Sequence, residues 1–269
     1  MTLQVAKARW LALVVVWALA GCSPPHAAAV NAASGAPVEP GQEYRPAPEL
    51  QGGGVTRDGA LQLYGSAAPG AAVRLSSPSG ANEFAAADAS GVWRITLPPS
   101  AEPRLLGLSM SDNGRVVQAV GYLFVAPDGS VARLRAGGGT QAPAAAKPGL
   151  AALALDYDNQ RAATLSGVAG PHETVTVRVD GVERGQASAD SAGRFVLPLN
   201  QLLAAGSHDF DLAGAAQEVR FSTVVNAPAA LGKARFAATR AGQGWRIDWI
   251  TLGGGEQTTL ILGPIGAAT

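Results

Sequence analysis

From Leu61 onward the chain alternates apolar and polar positions in short runs. Leu61-Gln-Leu-Tyr-Gly65, Ala72-Val-Arg-Leu-Ser76, Glu83-Phe-Ala-Ala-Ala87 and Val92-Trp-Arg-Ile-Thr-Leu97 each predict a strand, and their alternation gives it one buried face. Between them stand Ala68-Pro69-Gly70, Ser77-Pro-Ser-Gly80 and Asp88-Ala-Ser-Gly91, residue types that turn the backbone. A longer apolar run, Val116 to Val125, leads through Pro127-Asp128-Gly129 into Val131-Ala-Arg-Leu-Arg135, which predicts a hairpin closing a first domain. Residues 136–149 lose all periodicity and read as a linker.

Beyond that linker the pattern begins again. At an offset of 102 positions Gly65 aligns with Gly167, Pro69 with Pro171 and Val73 with Val175. Without a gap the same offset aligns Asp88 with Asp190, Gly91 with Gly193, Trp93 with Phe195 and Leu97 with Leu199. Matches at turn residues and at core-facing apolar positions together argue for duplication. The tail then offers three more runs, Ala234–Thr239, Trp245–Leu252 and Thr258–Leu262, separated by Gly-rich turns. These predict a three-strand meander, either a small sheet of its own or a layer packed on the second domain.

The first fifty residues follow a different rule. Lys7 and Arg9 precede an apolar run, Trp10 to Ala20, of 11 residues, too short to span a bilayer. It stops at Gly21-Cys22 and passes into Ser23-Pro24-Pro25, which cannot continue a helix. Prolines at 24, 25, 37, 40, 46 and 48, with little periodic apolar content, mark 22–54 as a tether. Composition supports a β-rich chain, since 34 Gly and 18 Pro imply many turns. Twenty basic and twenty acidic side chains cancel, so no global field favours nucleic acid.

Leu19-Ala20-Gly21-Cys22 resembles the lipobox of bacterial lipoproteins. The resemblance implies cleavage between Gly21 and Cys22, a diacylglycerol thioether on Cys22 and acylation of its new amine, the two-signal anchoring that holds a protein stably on a membrane. Ser23 rather than Asp after the cysteine implies, in the Gram-negative sorting pattern, release to the outer membrane. Gly167, Pro171, Val175, Val177, Asp190, Gly193 and Phe195 resemble the bacterial Ig-like modules of envelope proteins, and carboxypeptidase-regulatory-like sandwiches share the Asp-x-x-Gly-x-Phe part. Either family implies a β-sandwich.

Candidate chemistry is sparse. Asp88 with Gly91 and Asp190 with Gly193 read as turns, in which Asp bonds the following backbone N–H groups and Gly takes positive φ. Asp156-Tyr-Asp158-Asn159 lacks the spaced Gly and distal Glu of a calcium loop. His26, His172 and His208 stand far apart, and Cys22 is the only cysteine, so neither a metal site nor a cofactor is expected. No serine triad or phosphate loop is spelled out, and Asp209, Glu218 and Asp248 are unmatched carboxylates with no catalytic spacing. Trp245 and Trp249 share one face of a predicted strand with Ile247. They are either the buried face of a small sheet or an aromatic platform for sugars.

The expected protein is all-β: a signal peptide (1–21), a tether (22–54), sandwiches over 55–135 and 150–226 joined by a linker (136–149), and a meander over 227–269. Its expected role is non-catalytic binding, scaffolding or adhesion in the cell envelope, with the membrane as one partner and an envelope protein or glycan as the other. The alternative is glycan binding through Trp245 and Trp249.

Overall fold

The computed structural model describes residues 44–143 and 149–263. The expected signal peptide, Cys22, most of the expected tether and residues 144–148 of the expected linker lie outside the described residues. The described part, from Arg45 onward, belongs to one compact unit.

The first module opens with β1 (Glu49–Val55), β2 (Leu61–Ser66), β3 (Ala72–Ser76), β4 (Asn82–Ala86) and β5 (Val92–Leu97). It continues with β6 (Arg104–Asp112), β7 (Arg115–Gln118), β8 (Tyr122–Val125) and β9 (Val131–Leu134). One sheet has the order β1-β2-β5, and the facing sheet runs β4-β3-β6-β8-β9 with β7 on the far end of β6. Leu61 and Leu63 on β2, Trp93 and Ile95 on β5, and Val73 and Leu75 on β3 fill the space between them. Their polar neighbours point out, as the alternation requires. The run 116–125 is two strands rather than one. It breaks at Gly121 (φ 84°), where a Cβ would strike the Leu134 carbonyl oxygen.

The second module repeats this plan in β10 (Ala151–Asp158), β11 (Ala163–Val168), β12 (Thr174–Val179), β13 (Val182–Ser188), β14 (Arg194–Pro198), β15 (Gly206–Ala213) and β16 (Glu218–Val225). Its sheets contain β10-β11-β14 and β13-β12-β15-β16, the same neighbours in the same order. Register repeats too. Leu63 pairs with Ile95 and Leu165 with Leu197; Leu75 pairs with Glu83 and Val177 with Gly185. Even the bulge between Leu50 and Gly52 recurs between Ala152 and Ala154. A bulge after Val177 shifts the β12–β13 pairing by one, so that Arg178 meets Glu183 where the first module pairs Ser76 with Asn82. The central pairing of the second sheet slides by two residues: Leu75 meets Leu108, but Val177 meets Leu212. A slip of two keeps every side chain on its own face.

Two expected boundaries need correction, and the placement of the meander, open in the sequence, is decided. The tether does not run to 54, because Glu49–Val55 is β1. Gly52 and Gly53 fit there because Tyr64 and Leu63 lie where their side chains would be, with Tyr64 Cζ and Leu63 Cδ2 each 2.6 Å from an added Cβ. The first half of 136–149 is not free linker, since Gln141 bridges Arg133 and Thr140 is buried. The meander is not a sheet of its own. Its strands β17 (Phe236–Ala241), β18 (Gly244–Ile250) and β19 (Glu256–Ile261) extend the second module, giving the order β14-β11-β10-β19-β18-β17. Ala154 pairs with Ile261 and Asp158 with Gln257 along the new seam.

That six-stranded sheet is covered on both faces. Leu155, Tyr157, Leu165 and Leu260 look toward the second module's own core. Leu153, Val168, Trp245, Ile247, Trp249 and Ile261 meet Leu105, Phe124 and Leu134 from the back of the first module, forming a third core. Accordingly all six residues of β11 are buried, whereas its counterpart β2 alternates. Strands sandwiched on both sides lose the one-sided alternation of a solvated sheet.

Candidate functional site

The two Asp-x-x-Gly motifs are turns at matching places. Asp88 Oδ1 accepts from the Ser90 and Val92 backbone N–H groups at 2.9 Å each. Asp190 Oδ1 accepts from those of Ala192 and Arg194 at the same distances. Gly91 (φ 81°) and Gly193 (φ 75°) take left-handed backbone. An added Cβ at either would meet a carbonyl oxygen at 2.5 Å, that of Ala67 or of Ala169. Hydrogen bonds to these exposed carboxylates hold both pKa values below the ordinary range, Ser90 leading for Asp88 and the Arg194 backbone for Asp190. Asp158 closes a third turn in the same way, accepting from Gln160 and Ala162.

The aromatic platform is overturned. Trp245 is 6% exposed and Trp249 is fully buried. The Trp245 ring meets Phe124 edge-on at 5.7 Å, with the Arg240 guanidinium 4.4 Å from its centroid. Trp249 donates from Nε1 to Thr259 Oγ1 at 3.1 Å. The face these indoles share is the one the first module covers, so no sugar reaches it.

The remaining polar chemistry is largely buried and shared out among structural bonds. Asp156 has no cation beside it; its Oδ2 accepts from the Thr140 backbone N–H at 2.6 Å, and its Oδ1 from Thr140 Oγ1 (2.7 Å), Thr259 Oγ1 (2.5 Å) and Gln257 Nε2 (3.2 Å). Burial pushes its carboxyl up, and these donors pull part of the way back. Asp248 takes a two-pronged contact from Arg246, whose guanidinium also reaches the Tyr157 hydroxyl and the Ala227 carbonyl. Asp209 accepts from Ser222 and Glu218 lies beside Arg220, both on the opposite sheet from Asp248, so these carboxylates do not converge. His208 sits at the core edge, one ring nitrogen 2.7 Å from Asp180 Oδ2 and the other 2.9 Å from the Ala204 carbonyl. Among the described residues no three His, Cys, Asp or Glu side chains are grouped to hold a metal. Cys22 and Gly21 lie outside the described residues.

Sequence reading missed one concavity altogether. A cleft of about 480 Å³ opens between the first module and the C-terminal hairpin. One wall is the β3–β4 turn with Ser76, Ser77 and Pro78; the other carries Arg235, Thr251 and Leu252. Gln118 and Tyr122 line it from the broken strand. A second hollow of about 290 Å³ continues it past Ser79 and Arg104 to Phe236. Its walls lie more than a hundred residues apart in sequence, so no local motif could announce it.

These features define a fused pair of antiparallel β-sandwiches, whose candidate chemistry resolves into structural bonds and a polar cleft. No protein-family model matches the chain, and no curated protein matches it. Among solved structures it is similar to the BSP domain of a biofilm-associated protein, at 14% identity and a TM-score of 0.25. That match covers 68% of this chain and 30% of the other. It is also similar to the central fibronectin-III array of RIM-binding protein, at 13% identity and a TM-score of 0.26, over 77% of this chain and 80% of the other.

Proposed function

We propose that the chain is a lipid-anchored envelope protein whose fused double sandwich is a non-catalytic scaffold or adhesive head. In this reading Cys22 carries the diacylglycerol and an amide-linked acyl chain, Ser23 sends the protein to the outer membrane, and the Pro-rich stretch holds the head off the bilayer. The observation that carries the reading is the third core built on Trp245, Ile247 and Trp249. Two sandwiches joined only by a linker would bend at it. Welded through a shared apolar layer, they form a rigid block that can bear a partner or a load. The engagement of Asp88, Asp156, Asp190 and His208 in structural bonds supports a role without chemistry.

The test uses intact cells expressing the natural chain and Cys22→Ser. The natural chain should incorporate labelled fatty acid and fractionate with outer membrane, and the variant should do neither. A labelled variant, or a natural chain found free in solution, would overturn the anchor. Cross-linking in the same cells should join the head to an envelope component; recovery of the head uncross-linked from densely labelled cells would remove the scaffold role.

A further inference from the structure

We infer that the cleft between the first module and the C-terminal hairpin binds a carboxylate-bearing oligosaccharide. Its polar lining residues are Ser76, Ser77, Gln118, Tyr122, Thr251 and Arg235, with the Ser77 hydroxyl already shared with Ser79 Oγ and the Ala81 N–H of its own turn. Hydroxyls and carboxamides both donate and accept, which matches a ligand that is itself mostly hydroxyl. Arg235 is exposed and belongs to the cleft wall, and Arg104 stands on the adjoining hollow. No carboxylate lines either space among the described residues; Arg104 Nη2 donates to the Pro98 and Pro99 carbonyls, so Arg235 is the guanidinium that presents its charge to an incoming anion. A guanidinium fork binds a carboxylate through two parallel hydrogen bonds, which would orient an acidic sugar in the cleft. Pro78, Leu105 and Leu252 supply apolar surface for the C–H faces of the sugar rings.

An acidic peptide fits less well. Peptides dock on sandwiches by adding a strand to an open edge. Here the cleft floor is already paired, Ser76 with Gly107 and Ser109 with Gln118, so its ladder is closed. Size agrees with a short oligosaccharide, since clefts of several hundred Å³ hold small ligands.

Position strengthens the assignment. The tether enters the head at Arg45, which is ion-paired to Asp112 at the last residue of β6. Arg104 and Leu105, at the other end of the same strand, belong to the cleft. Nine residues of strand separate the two ends by roughly 27 Å. On the anchored reading the cleft therefore lies at the end of the module away from the tether's entry; the binding itself does not depend on the anchor.

Isothermal titration of the full chain in detergent, with trigalacturonate, maltotriose and triglutamate, tests the inference. Trigalacturonate should bind saturably, maltotriose about tenfold or more weakly, and triglutamate no better than maltotriose. Arg235→Gln should weaken trigalacturonate about tenfold, and added salt should weaken it as well. The fold survives this change because only the backbone carbonyl of Arg235 takes part in the sheet, accepting from Ile250. Arg220→Gln, on the outer face of the second module, should leave binding unchanged. No saturable binding of trigalacturonate, equal binding by Arg235→Gln, or triglutamate binding as tightly would each overturn it, the last in favour of a peptide site. None of these outcomes bears on fatty-acid labelling at Cys22, so the two proposals fail separately.

Discussion

Trp249 of the C-terminal hairpin and Tyr122 of the first module meet edge to face across the shared core, their ring centroids 6.0 Å apart and their planes at 87°. They are 127 positions apart in the sequence, and the contact couples two modules that repetition alone would have left independent. Aromatic pairs of this geometry add roughly 0.5–1.5 kcal/mol beyond the area they bury. Trp249→Ala should therefore cost about 3–5 kcal/mol, the range for removing a large buried aromatic side chain. Its signature is loss of cooperativity. The natural protein should melt in one calorimetric transition and the variant in two, as each sandwich unfolds on its own. A single unbroken transition in Trp249→Ala would show that the third core does not weld the modules.

The duplication predicts a matched pair of defects. At Gly65 an added Cβ would strike the Glu49 carbonyl oxygen and lie 2.7 Å from the Trp93 ring. At Gly167 it would strike the Ala151 carbonyl oxygen and lie 2.6 Å from the Phe195 ring. The obstacle is backbone on one side and a buried ring on the other, so neither yields cheaply. Gly65→Ala and Gly167→Ala should each destabilise by about 1–3 kcal/mol, the usual cost of overpacking, and by similar amounts. Urea midpoints check both. A neutral substitution at one site and a severe one at the other would mean the two strand crossings are not equivalent.

How much of this could be read beforehand depended on whether a residue's partner was local. Leu61, Leu63, Trp93 and Ile95 announced their strands because alternation is set by the pleat and one face is wet. The turns at Asp88 and Asp190 were legible because the acceptor lies two and four residues from its donors. Gly52 and Gly53 looked like linker because glycine carries no pattern. Their strand exists through pairing with Tyr64 and Leu63, whose side chains occupy the room a Cβ would need. The three tail strands were visible, but not their partner, because the choice between a separate sheet and the open edge of β10 is made by tertiary packing. The same packing decided the indoles: Trp245 and Trp249 alternate on one face whether that face is wet or covered.

The buried carboxylate of Asp156 ties down the stretch that reads as linker. Thr140 meets it twice, through its backbone N–H and its hydroxyl, and Gly137 N–H reaches Gln257 at 3.3 Å. Asp156→Ala removes the acceptor and leaves the Thr140 and Thr259 hydroxyls and one buried N–H without it. Buried donors left unsatisfied cost about 1–3 kcal/mol each. Residues 136–143 should detach locally before the sheets do. Limited proteolysis should cut the variant between 136 and 143 under conditions that leave the natural chain whole. Equal resistance would show that Gln141 and Arg133 hold the segment without the carboxylate.

His208 gives the fold a dependence on pH whose sign is fixed by geometry. It stands near the start of β15, largely buried at the edge of the second module's core. Both ring nitrogens face acceptors, the Asp180 carboxylate and the Ala204 carbonyl, so the doubly protonated ring satisfies both and the neutral ring only one. Burial opposes the charge and Arg184 repels it. The Ala204 carbonyl and Asp180 outweigh them, and the pKa lies above its ordinary value. A raised folded pKa means that the stabilisation is complete below the unfolded value, about 6.5. It is lost as pH rises through the folded value. Asp180, whose pKa is lowered first by the Asp209 backbone N–H and then by His208, stays ionised throughout that window. Denaturation midpoints should therefore fall from pH 6 toward pH 9. His208→Leu, which removes the titrating ring from this largely buried position, should flatten that slope. A natural chain whose midpoint holds or rises over this range, with the His208 ring titrating below 6.5 by NMR, would refute the assignment.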